Sequence, residues 1–342
     1  MIGGGNFSKM TLLPALAKSG AQIAYVADLN GAAAHHLARK FGAAQATTDH
    51  KLLLADPKVN LVLIATGHSS HAALVCEALA AGKHVFVEKP LAMNAAELSR
   101  VVDAARRAAE QTLTVGFNRR FAPHVVRMKR LLAGRGEPLC MTMTVNAGAI
   151  PPEHWVHDPV RGGGRIVGEA CHFIDLMVHL AGAKAASVSA VMAGAGPAVR
   201  EDKMSIVLAF EDGSVGTVNY FANGHKGYPK ETLEVFSDGR VLRLDNFRRL
   251  DGWGFGGFSK MKTWRQDKGH RGELAELVAR LPAGGPALIA LDELANVTLA
   301  SFAAQTAARE GRTVRLADEY AAGPAGAPAA AAEACAAGEG RP

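Results

Sequence analysis

A short apolar run ends abruptly in residues that can do chemistry. His84-Val85-Phe86-Val87 is followed at once by Glu88, Lys89 and Pro90. Such a run predicts a buried strand, and in open parallel sheets the ligand crevice lies beyond the carboxyl ends of the strands. Proline biases the preceding residue toward an extended backbone, which aims the Lys89 side chain. An ammonium placed there can polarise a substrate oxygen, although a merely solvated strand end has the same pattern.

A second candidate lies on a helix predicted to begin near Gly168. At the spacing of three and four residues His172, Asp175 and His179 share one face of it, and the opposite face is apolar. An imidazole, with a reference pKa of about 6.5, suits acid–base work at neutral pH. These three side chains could also bind zinc, but no cysteine or fourth ligand stands at a recognisable spacing, so we predict no metal. A buried structural histidine is the remaining alternative.

The chain opens with a glycine-rich segment that fits a dinucleotide. Gly3 and Gly5 match the first two glycines of the fingerprint, and Ser8 takes the place of the third. Glycines here permit a tight turn and a close approach of the backbone to pyrophosphate at a helix N-terminus. Asp28, after the next strand-like run, would accept hydrogen bonds from the adenosine ribose and repel a 2′-phosphate, which predicts NAD as the cofactor. The residues expected to contact it are Gly3, Gly5, Asn6, Phe7 and Asp28.

Apolar runs and helical patterns alternate downstream of this opening. Strands are predicted at 61–65, 84–87 and 113–116, with helices at 71–80 and 94–109. This alternation is typical of right-handed crossovers and a parallel sheet, so we predict a Rossmann domain over residues 1–121. The loop between the first of these strands and its helix should face the nicotinamide side of the cofactor, with Thr66 and His71 in contact.

Four segments together resemble the Gfo/Idh/MocA oxidoreductase family, named after glucose-fructose oxidoreductase and inositol dehydrogenase. They are the opening glycines, the loop at 65–71, the segment 81–90 and the segment 116–121. The chain most resembles the oxidoreductase half of bidomain proteins from polysaccharide gene clusters. Either such an origin or a late start codon would account for a truncated first strand, since only Met1 and Ile2 precede the glycines.

The resemblance implies hydride transfer between NAD and a secondary alcohol of a sugar, polyol or nucleotide-linked sugar. In the family, the histidine at the place of His172 lies beside the substrate hydroxyl and the nicotinamide, and Glu88 would position the cofactor. Lys89 would hold the same oxygen, and either Lys89 or His172 is the base. A family aspartate four residues before the histidine is here Gly168, so the adjacent Glu169 is the candidate for the displaced role.

Two other functions remain open. A protein that binds NAD without turnover is favoured by Gly168 and by the short first strand, and opposed by Lys89 and His172. An imine or aldehyde reductase on the same scaffold is the other.

Substrate contacts are expected from residues that follow the last Rossmann strand and from the helix of His172. Asn118 and Arg120 are the first of these, Trp155 lies in a loop before the helix, and Asp175 is on the helix. An arginine can hold a carboxylate or phosphate with two hydrogen bonds, and a tryptophan can stack on a sugar face. Such a loop can equally be ordinary protein surface, and such an arginine can belong to a structural ion pair.

The second half of the chain has longer strand patterns. Asp-Gly pairs at 212–213 and 238–239 predict hairpins between antiparallel neighbours. We predict an α+β domain over residues 122–318, with a largely antiparallel open sheet that has helices on one face and leaves the other free for a homo-oligomer contact. Residues 319–342, rich in Ala, Gly and Pro, are predicted to be a disordered tail. The predicted strands are 139–146, 187–193, 203–210, 215–221, 231–236 and 240–244, and the closing helices are 271–281 and 291–309.

The composition of the whole chain excludes several classes of function. Its 342 residues are 49% hydrophobic, enough for about two domains. The net charge of +6 comes from dispersed basic residues, so we predict no nucleic-acid partner. Four cysteines without paired spacing, and the lack of a signal peptide or membrane-spanning stretch, predict a cytoplasmic protein with free thiols and no membrane partner.

Overall fold

The computed structural model describes residues 1–194, 202–281 and 285–321. The first part forms a parallel sheet flanked by helices, and the second forms a large, mostly antiparallel sheet with helices on one face. The predicted fold class is therefore confirmed. Among the described residues, no helix is long and apolar enough to cross a membrane.

The N-terminal domain contains five short parallel strands. They are β1 (Tyr25–Ala27), β2 (Gln45–Thr47), β3 (Leu61–Ile64), β4 (His84–Val87) and β5 (Leu113–Val115). A π-helical turn, Ser8–Leu12, leads into the first of five helices. The helices are α1 (Leu13–Leu16), α2 (Gly31–Phe41), α3 (Lys51–Ala55), α4 (His71–Ala80) and α5 (Ala95–Arg107).

The first residues of the chain lie at the centre of this sheet. Ile2 bridges Ala27 of β1 on one side and Ile64 of β3 on the other, both in parallel. The sheet order is therefore β2, β1, the segment at residues 1–3, β3, β4, β5. The Met1 ammonium donates to the Tyr25 carbonyl at 3.0 Å, and its complete burial lowers its pKa to about 5. The predicted short first strand is thus a single bridge residue.

The second sheet has nine strands. They are β6 (Cys140–Asn146), β7 (Ala185–Met192), β8 (Lys203–Phe210), β9 (Val215–Phe221), β10 (Glu231–Ser237), β11 (Arg240–Asp245), β12 (Arg249–Trp253), β13 (Lys260–Lys262) and β14 (Val314–Arg315). Their order is β13-β12-β11-β10-β6-β9-β8-β7-β14, and within the described parts of the chain only the neighbours β6 and β9 run parallel to each other. Both predicted Asp-Gly hairpins are confirmed, since β8 pairs with β9 and β10 with β11 in antiparallel register.

Five helices accompany the second sheet. They are α6 (Pro123–Leu131), α7 (Cys171–Ala181), α8 (His270–Arg280), α9 (Leu291–Glu310) and α10 (Leu316–Ala321). A π-helical turn, Ile166–Ala170, precedes α7. The predicted boundary at residue 318 falls inside α10, so 319–321 are helical, and the rest of the predicted tail lies outside the described residues.

Helix α8 belongs by sequence to the second half but packs on the first. Its Leu274 and Leu277 are buried in one core cluster with Leu12, Leu13 and Val26 of the N-terminal domain. Burial of this apolar surface holds the two halves together. The beginning of α8 is thereby brought close to the N-terminal helix, where the cofactor residues were predicted.

Candidate active site

Lys89 reaches from the end of β4 to the second domain. The peptide bond between Lys89 and Pro90 is cis, and Lys89 Nζ donates to the Gly168 carbonyl at 2.8 Å. That carbonyl lies four residues before His172, which is one helical turn. The structure therefore brings the predicted amine to the turn from which the predicted imidazole projects.

His172 is an almost completely buried imidazole. It is 6% exposed, its buried Nδ1 has no hydrogen-bond partner among the described residues, and the Phe117 ring lies edge-on with centroids 6.1 Å apart. Burial, reinforced by the charges of Arg119 and Lys89, holds the pKa of His172 well below its ordinary value. At neutral pH the ring is therefore uncharged, and one of its nitrogens carries a lone pair.

Glu88 is a buried carboxyl beside this pair. It is 8% exposed, and burial raises its pKa to about 7 against the opposing charges of Lys89 and Arg119. Its carboxylate lies against Gly116, where a Cβ would come within 2.8 Å of Oε1. Glu273 of α8 is also fully buried, with Oε1 unpartnered, and burial, followed by the charge of Glu88, raises its pKa well above the ordinary value. Burial thus shifts both carboxyls toward the protonated form.

The opening glycines form a cradle at the carboxyl end of the sheet. Gly3 has φ +99°, and a Cβ there would lie 2.3 Å from the Ala65 carbonyl oxygen. A Cβ on Gly5 would have no atom within 4 Å, so open space lies above that backbone. Gly5, Asn6 and Phe7 are exposed, and the Ser8 hydroxyl donates to the Gly3 carbonyl at 2.7 Å. The predicted cradle can accept a pyrophosphate.

Asp28 lies beside this cradle, as the fingerprint predicts. One carboxylate oxygen accepts from the Gly4 amide at 2.6 Å, and the other accepts from the Asn30 amide at 2.7 Å. These bonds fix the carboxylate at the end of β1, where the ribose of a dinucleotide lies in this fold.

Thr66 and His71 brace the loop after β3. The Thr66 hydroxyl lies 2.6 Å from Ser70 Oγ. His71 is fully buried, with Nδ1 2.8 Å from the Pro90 carbonyl and Nε2 3.2 Å from the Thr66 carbonyl. Because both ring nitrogens face backbone, we reassign His71 from cofactor contact to positioning of the segment after Lys89.

Arg120 and Asp175, predicted as substrate contacts, are bound to each other. Arg120 Nε lies 2.9 Å from both carboxylate oxygens of Asp175, and Nη1 lies 2.6 Å from Glu293. Asp175 is fully buried and Arg120 is 6% exposed. The interpretation is therefore corrected: this pair joins α7 to α9 and the loop after β5, and neither side chain is free to hold a substrate. Among the described residues, no cluster of three His, Cys, Asp or Glu could hold a metal ion.

Asn118 and Arg119 hold a loop of the second domain against the site. Asn118 Nδ2 donates to the Lys268 carbonyl at 2.7 Å. Arg119 makes two hydrogen bonds to Glu231, at 2.8 and 2.9 Å, and Lys268 Nζ makes a third at 2.5 Å. Burial alone would raise the pKa of Glu231, but the two cations lower it to about 2. The sequence did not predict this triad, because Glu231 is far from Arg119 along the chain.

The Glu169 side chain contacts residues of the antiparallel sheet and the preceding turn. Its carboxylate lies 3.0 Å from Arg165 and 2.5 Å from the Tyr220 hydroxyl, with Lys230 at 3.6 Å. Burial would raise its pKa, but the Tyr220 hydrogen bond and the two cations together lower it. Glu169 is thus an ionised group held by its own partners, and it does not fill the space beside Gly168.

His68 fills that space, although the sequence prediction did not single it out. A Cβ on Gly168 would lie 2.7 Å from His68 Cε1. The His68 ring is 7% exposed and meets Trp155 edge-on at 4.8 Å between centroids, while Trp155 itself is 37% exposed. The one sequence feature that could have pointed to His68 as a site residue is its position in the loop expected to face the nicotinamide.

A cavity of about 880 Å³ lies elsewhere in the N-terminal domain. It is lined at the amino ends of β1 and β3 by residues such as Met1, Tyr25 and Leu61, together with Val278 of α8. Lys89 and His172 lie at the opposite, carboxyl edge of the sheet, so this cavity is separate from the candidate site.

Comparison with known proteins identifies the family. Residues 1–117 match the family model described as "Oxidoreductase family, NAD-binding Rossmann fold", and residues 125–242 match the GFO/IDH/MocA C-terminal domain. The chain belongs to the Gfo/Idh/MocA oxidoreductase family. Its N-terminal domain binds NAD, as the glycines and Asp28 predicted.

Individual members of the Gfo/Idh/MocA family align over most of the chain. The myo-inositol 2-dehydrogenase of Thermotoga maritima is 27% identical over 306 residues, which cover 85% of this chain and 90% of the relative. The levoglucosan dehydrogenase of Pseudarthrobacter phenanthrenivorans is 28% identical over 263 residues, covering 66% of this chain and 65% of the relative. A levoglucosan dehydrogenase structure with NADH and levoglucosan superposes with a TM-score of 0.81 at 24% identity, covering 92% and 98% of the two chains, which shows a shared fold.

Proposed function

We propose that this protein is an NAD-dependent dehydrogenase that oxidises a secondary alcohol of a neutral sugar or cyclic polyol. The observation that carries the proposal is the Lys89–Gly168 hydrogen bond, which places an amine at the helical turn before a buried, neutral His172. A hydride transfer needs an oriented alcohol and one group that takes its proton. These two side chains supply both requirements.

The roles of the residues follow from their chemistry. Lys89 donates to the alcohol oxygen and stabilises its developing negative charge. His172 would accept the hydroxyl proton through a ring nitrogen, because the imidazole is uncharged before the reaction and has a free lone pair. Gly3, Gly5 and Asp28 would hold NAD, and the bound cofactor would accept the hydride from the carbon that carries the alcohol. Glu88, buried against Gly116 and adjacent to Lys89 in the sequence, would orient the cofactor.

A neutral substrate agrees with the charge distribution of the site. The two arginines that follow β5, Arg119 and Arg120, are each bound to internal carboxylates and cannot hold a phosphate or carboxylate. Trp155 offers a partly exposed aromatic ring, whereas Asn118 is buried and its amide is bound to the Lys268 carbonyl. The named activities of the relatives, on myo-inositol and levoglucosan, involve neutral hydroxylated rings.

A second function is favoured by one observation. Gly168 carries no side chain at the position where the family aspartate assists the histidine, and the buried Nδ1 of His172 has no partner. A protein with such a site could hold NAD without turning over an alcohol.

One experiment separates the two functions. The purified chain is incubated with NAD and a panel of cyclic polyols and neutral sugars, and NADH formation is followed by absorbance, while NADH binding is measured by calorimetry. Turnover of at least one neutral polyol, with NAD preferred over NADP, supports the dehydrogenase. Tight NADH binding without turnover of any panel member, in either direction, would establish the NAD-binding alternative.

We also propose that the open face of the nine-stranded sheet joins subunits in a homo-oligomer. Apolar side chains on outward positions of its strands are partly exposed, including Val207 (41%), Val215 (40%) and Phe236 (44%). Apolar surface of this kind is favourable to bury against a second copy. Light scattering after size exclusion should give a multiple of the chain mass, and Val207→Asp should shift it toward the monomer. A monomeric wild-type chain would refute this contact.

A further inference from the structure

His68 and Gly168 form a complementary pair across the two domains. The loop after β3 carries His68, and the turn before α7 carries Gly168. A Cβ on residue 168 would lie 2.7 Å from Cε1 and 3.2 Å from Nδ1 of the imidazole. The absence of a side chain at 168 is therefore what admits the His68 ring.

The orientation of His68 is fixed on both sides. Its Nδ1 lies 2.8 Å from the Gly162 carbonyl oxygen, and the Trp155 ring packs edge-on against it. A carbonyl oxygen only accepts hydrogen bonds, so in the neutral ring Nδ1 carries the proton and Nε2 carries the lone pair. Nε2 has no hydrogen-bond partner among the described residues, and the atom is not completely buried. A ligand can therefore reach it.

The charge state of His68 keeps that lone pair available. Burial lowers the pKa of His68 to about 4, even though the hydrogen bond to Gly162 opposes the shift, and the charge of Lys89 lowers it further. The amine lies close by, because Lys89 Nζ is hydrogen-bonded to the carbonyl of Gly168, the residue against which the His68 ring packs. A neutral acceptor therefore stands next to the site at working pH.

We infer that His68 is a substrate-binding residue whose Nε2 accepts a hydrogen bond from a second hydroxyl of the neutral carbohydrate, beside the hydroxyl held by Lys89 and next to Trp155. The inference rests on the proposed dehydrogenase function. The role of Gly168 is then to leave space for the imidazole of His68, where other family members have the aspartate side chain. The substrate class it selects is a polyol with at least two hydroxyls, because a simple secondary alcohol leaves Nε2 without a partner.

Three substitutions of His68 separate anchoring from substrate contact. In His68→Asn, the amide nitrogen can take the place of Nδ1 and keep the bond to Gly162, but the acceptor at Nε2 is lost. In His68→Gln the terminal oxygen can replace Nε2, whereas the bond to Gly162 is lost. His68→Ala loses both groups.

We expect His68→Asn and His68→Ala to raise the KM of the best polyol about 5- to 10-fold, with kcat changed less than about 2-fold, since one neutral hydrogen bond is lost. His68→Gln should recover most of the wild-type KM. The affinity for NADH, measured by calorimetry, should stay within about 2-fold in all three variants, and His50→Asn, at a solvent-accessible histidine paired with Glu77, should behave as wild type.

The pairing with Gly168 gives an independent measurement. Gly168→Ala should lower thermal stability in the wild-type background, because the new methyl group meets the imidazole, and should cost much less in the His68→Ala background. Equal costs in both backgrounds would contradict the packing relationship.

The inference fails if His68→Asn has wild-type KM while the wild-type enzyme turns over a polyol, since the ring then acts only as an anchor. It also fails if His68→Gln is no better than His68→Ala. A wild-type chain that turns over no polyol overturns the proposed function instead, and it is recognised before any variant is made.

Discussion

Lys89 Nζ donates to the carbonyl oxygen of Gly168 at 2.8 Å. The first residue follows β4 of the parallel sheet, and the second lies in the π-helical turn before α7. The bond therefore joins the two domains at the candidate active site. It also aligns the amine with respect to His172 without help from a substrate, which is the form of preorganisation that favours charge stabilisation in a transition state.

The first prediction concerns these two groups. Lys89→Met keeps the length of the side chain but removes its charge and its donors, and we expect kcat/KM to fall about 10²- to 10³-fold. His172→Asn should cost about 10²- to 10⁴-fold, because it removes the proton acceptor. Steady-state kinetics on the best polyol measure both losses.

Lys58→Met, at an exposed lysine, is the matched control for the first variant and should keep wild-type kinetics. NADH binding should survive in both site variants. Wild-type kcat/KM in Lys89→Met would remove this residue from the chemistry.

The sequence predicted elements well where one local pattern defines them. The apolar periodicity of 71–80 predicted α4 with both ends correct, and the Asp-Gly pairs predicted two hairpins. The strands β2, β12, β13 and β14 were missed. β2, β13 and β14 have only two or three residues, and all four depend on pairing with a neighbouring strand rather than on a pattern of their own.

The candidate site was predicted less completely than the fold. Lys89 and His172 were found because each follows a recognisable local pattern. The partners of Arg119 and Arg120, and the imidazole beside Gly168, come from distant parts of the chain. Tertiary packing decides which charged side chains pair and which ring packs against Gly168. The local spacing of residues in the sequence does not predict either contact.

The second prediction contrasts two glycines of the cradle. Gly3→Ala should destabilise the protein by more than about 2 kcal/mol, because Gly3 has φ +99° and the methyl group would lie 2.3 Å from the Ala65 carbonyl oxygen. Gly5→Ala should unfold as the wild type does, since its Cβ would meet no atom within 4 Å. It should weaken NADH binding at least about 10-fold by filling the space above the cradle.

Urea unfolding and calorimetric titration with NADH measure the two effects separately. If Gly5→Ala bound NADH with wild-type affinity, the pyrophosphate would not lie over that backbone.

The third prediction concerns the choice of cofactor. Asp28→Ser keeps a small acceptor near the ribose but removes the charge that repels a 2′-phosphate. We expect the ratio of kcat/KM for NAD to that for NADP to fall at least about 10-fold. The comparison must include thermal melting, because Asp28 also accepts hydrogen bonds from the Gly4 and Asn30 amides. A stable variant with an unchanged ratio would show that the carboxylate does not face the ribose.

The fourth prediction is a pH dependence of stability caused by Glu88. Burial raises its pKa from 4.5 to about 7, so between these values the folded chain keeps a proton that the unfolded chain has lost. The stabilisation from this proton is complete below pH 4.5 and is lost as the pH rises toward 7, by about 3 kcal/mol at about 1.4 kcal/mol for each pH unit.

Glu88→Gln removes this titration. The variant should therefore gain stability over the wild type as the pH rises from about 5 to about 8, by roughly 2 to 3 kcal/mol in urea unfolding without cofactor. Glu110→Gln, at an exposed position, should follow the wild-type profile at both pH values. Parallel profiles for Glu88→Gln and the wild type would mean that Glu88 is already ionised in the folded protein, and its carboxylate would then present a negative charge to the nicotinamide side of the cradle.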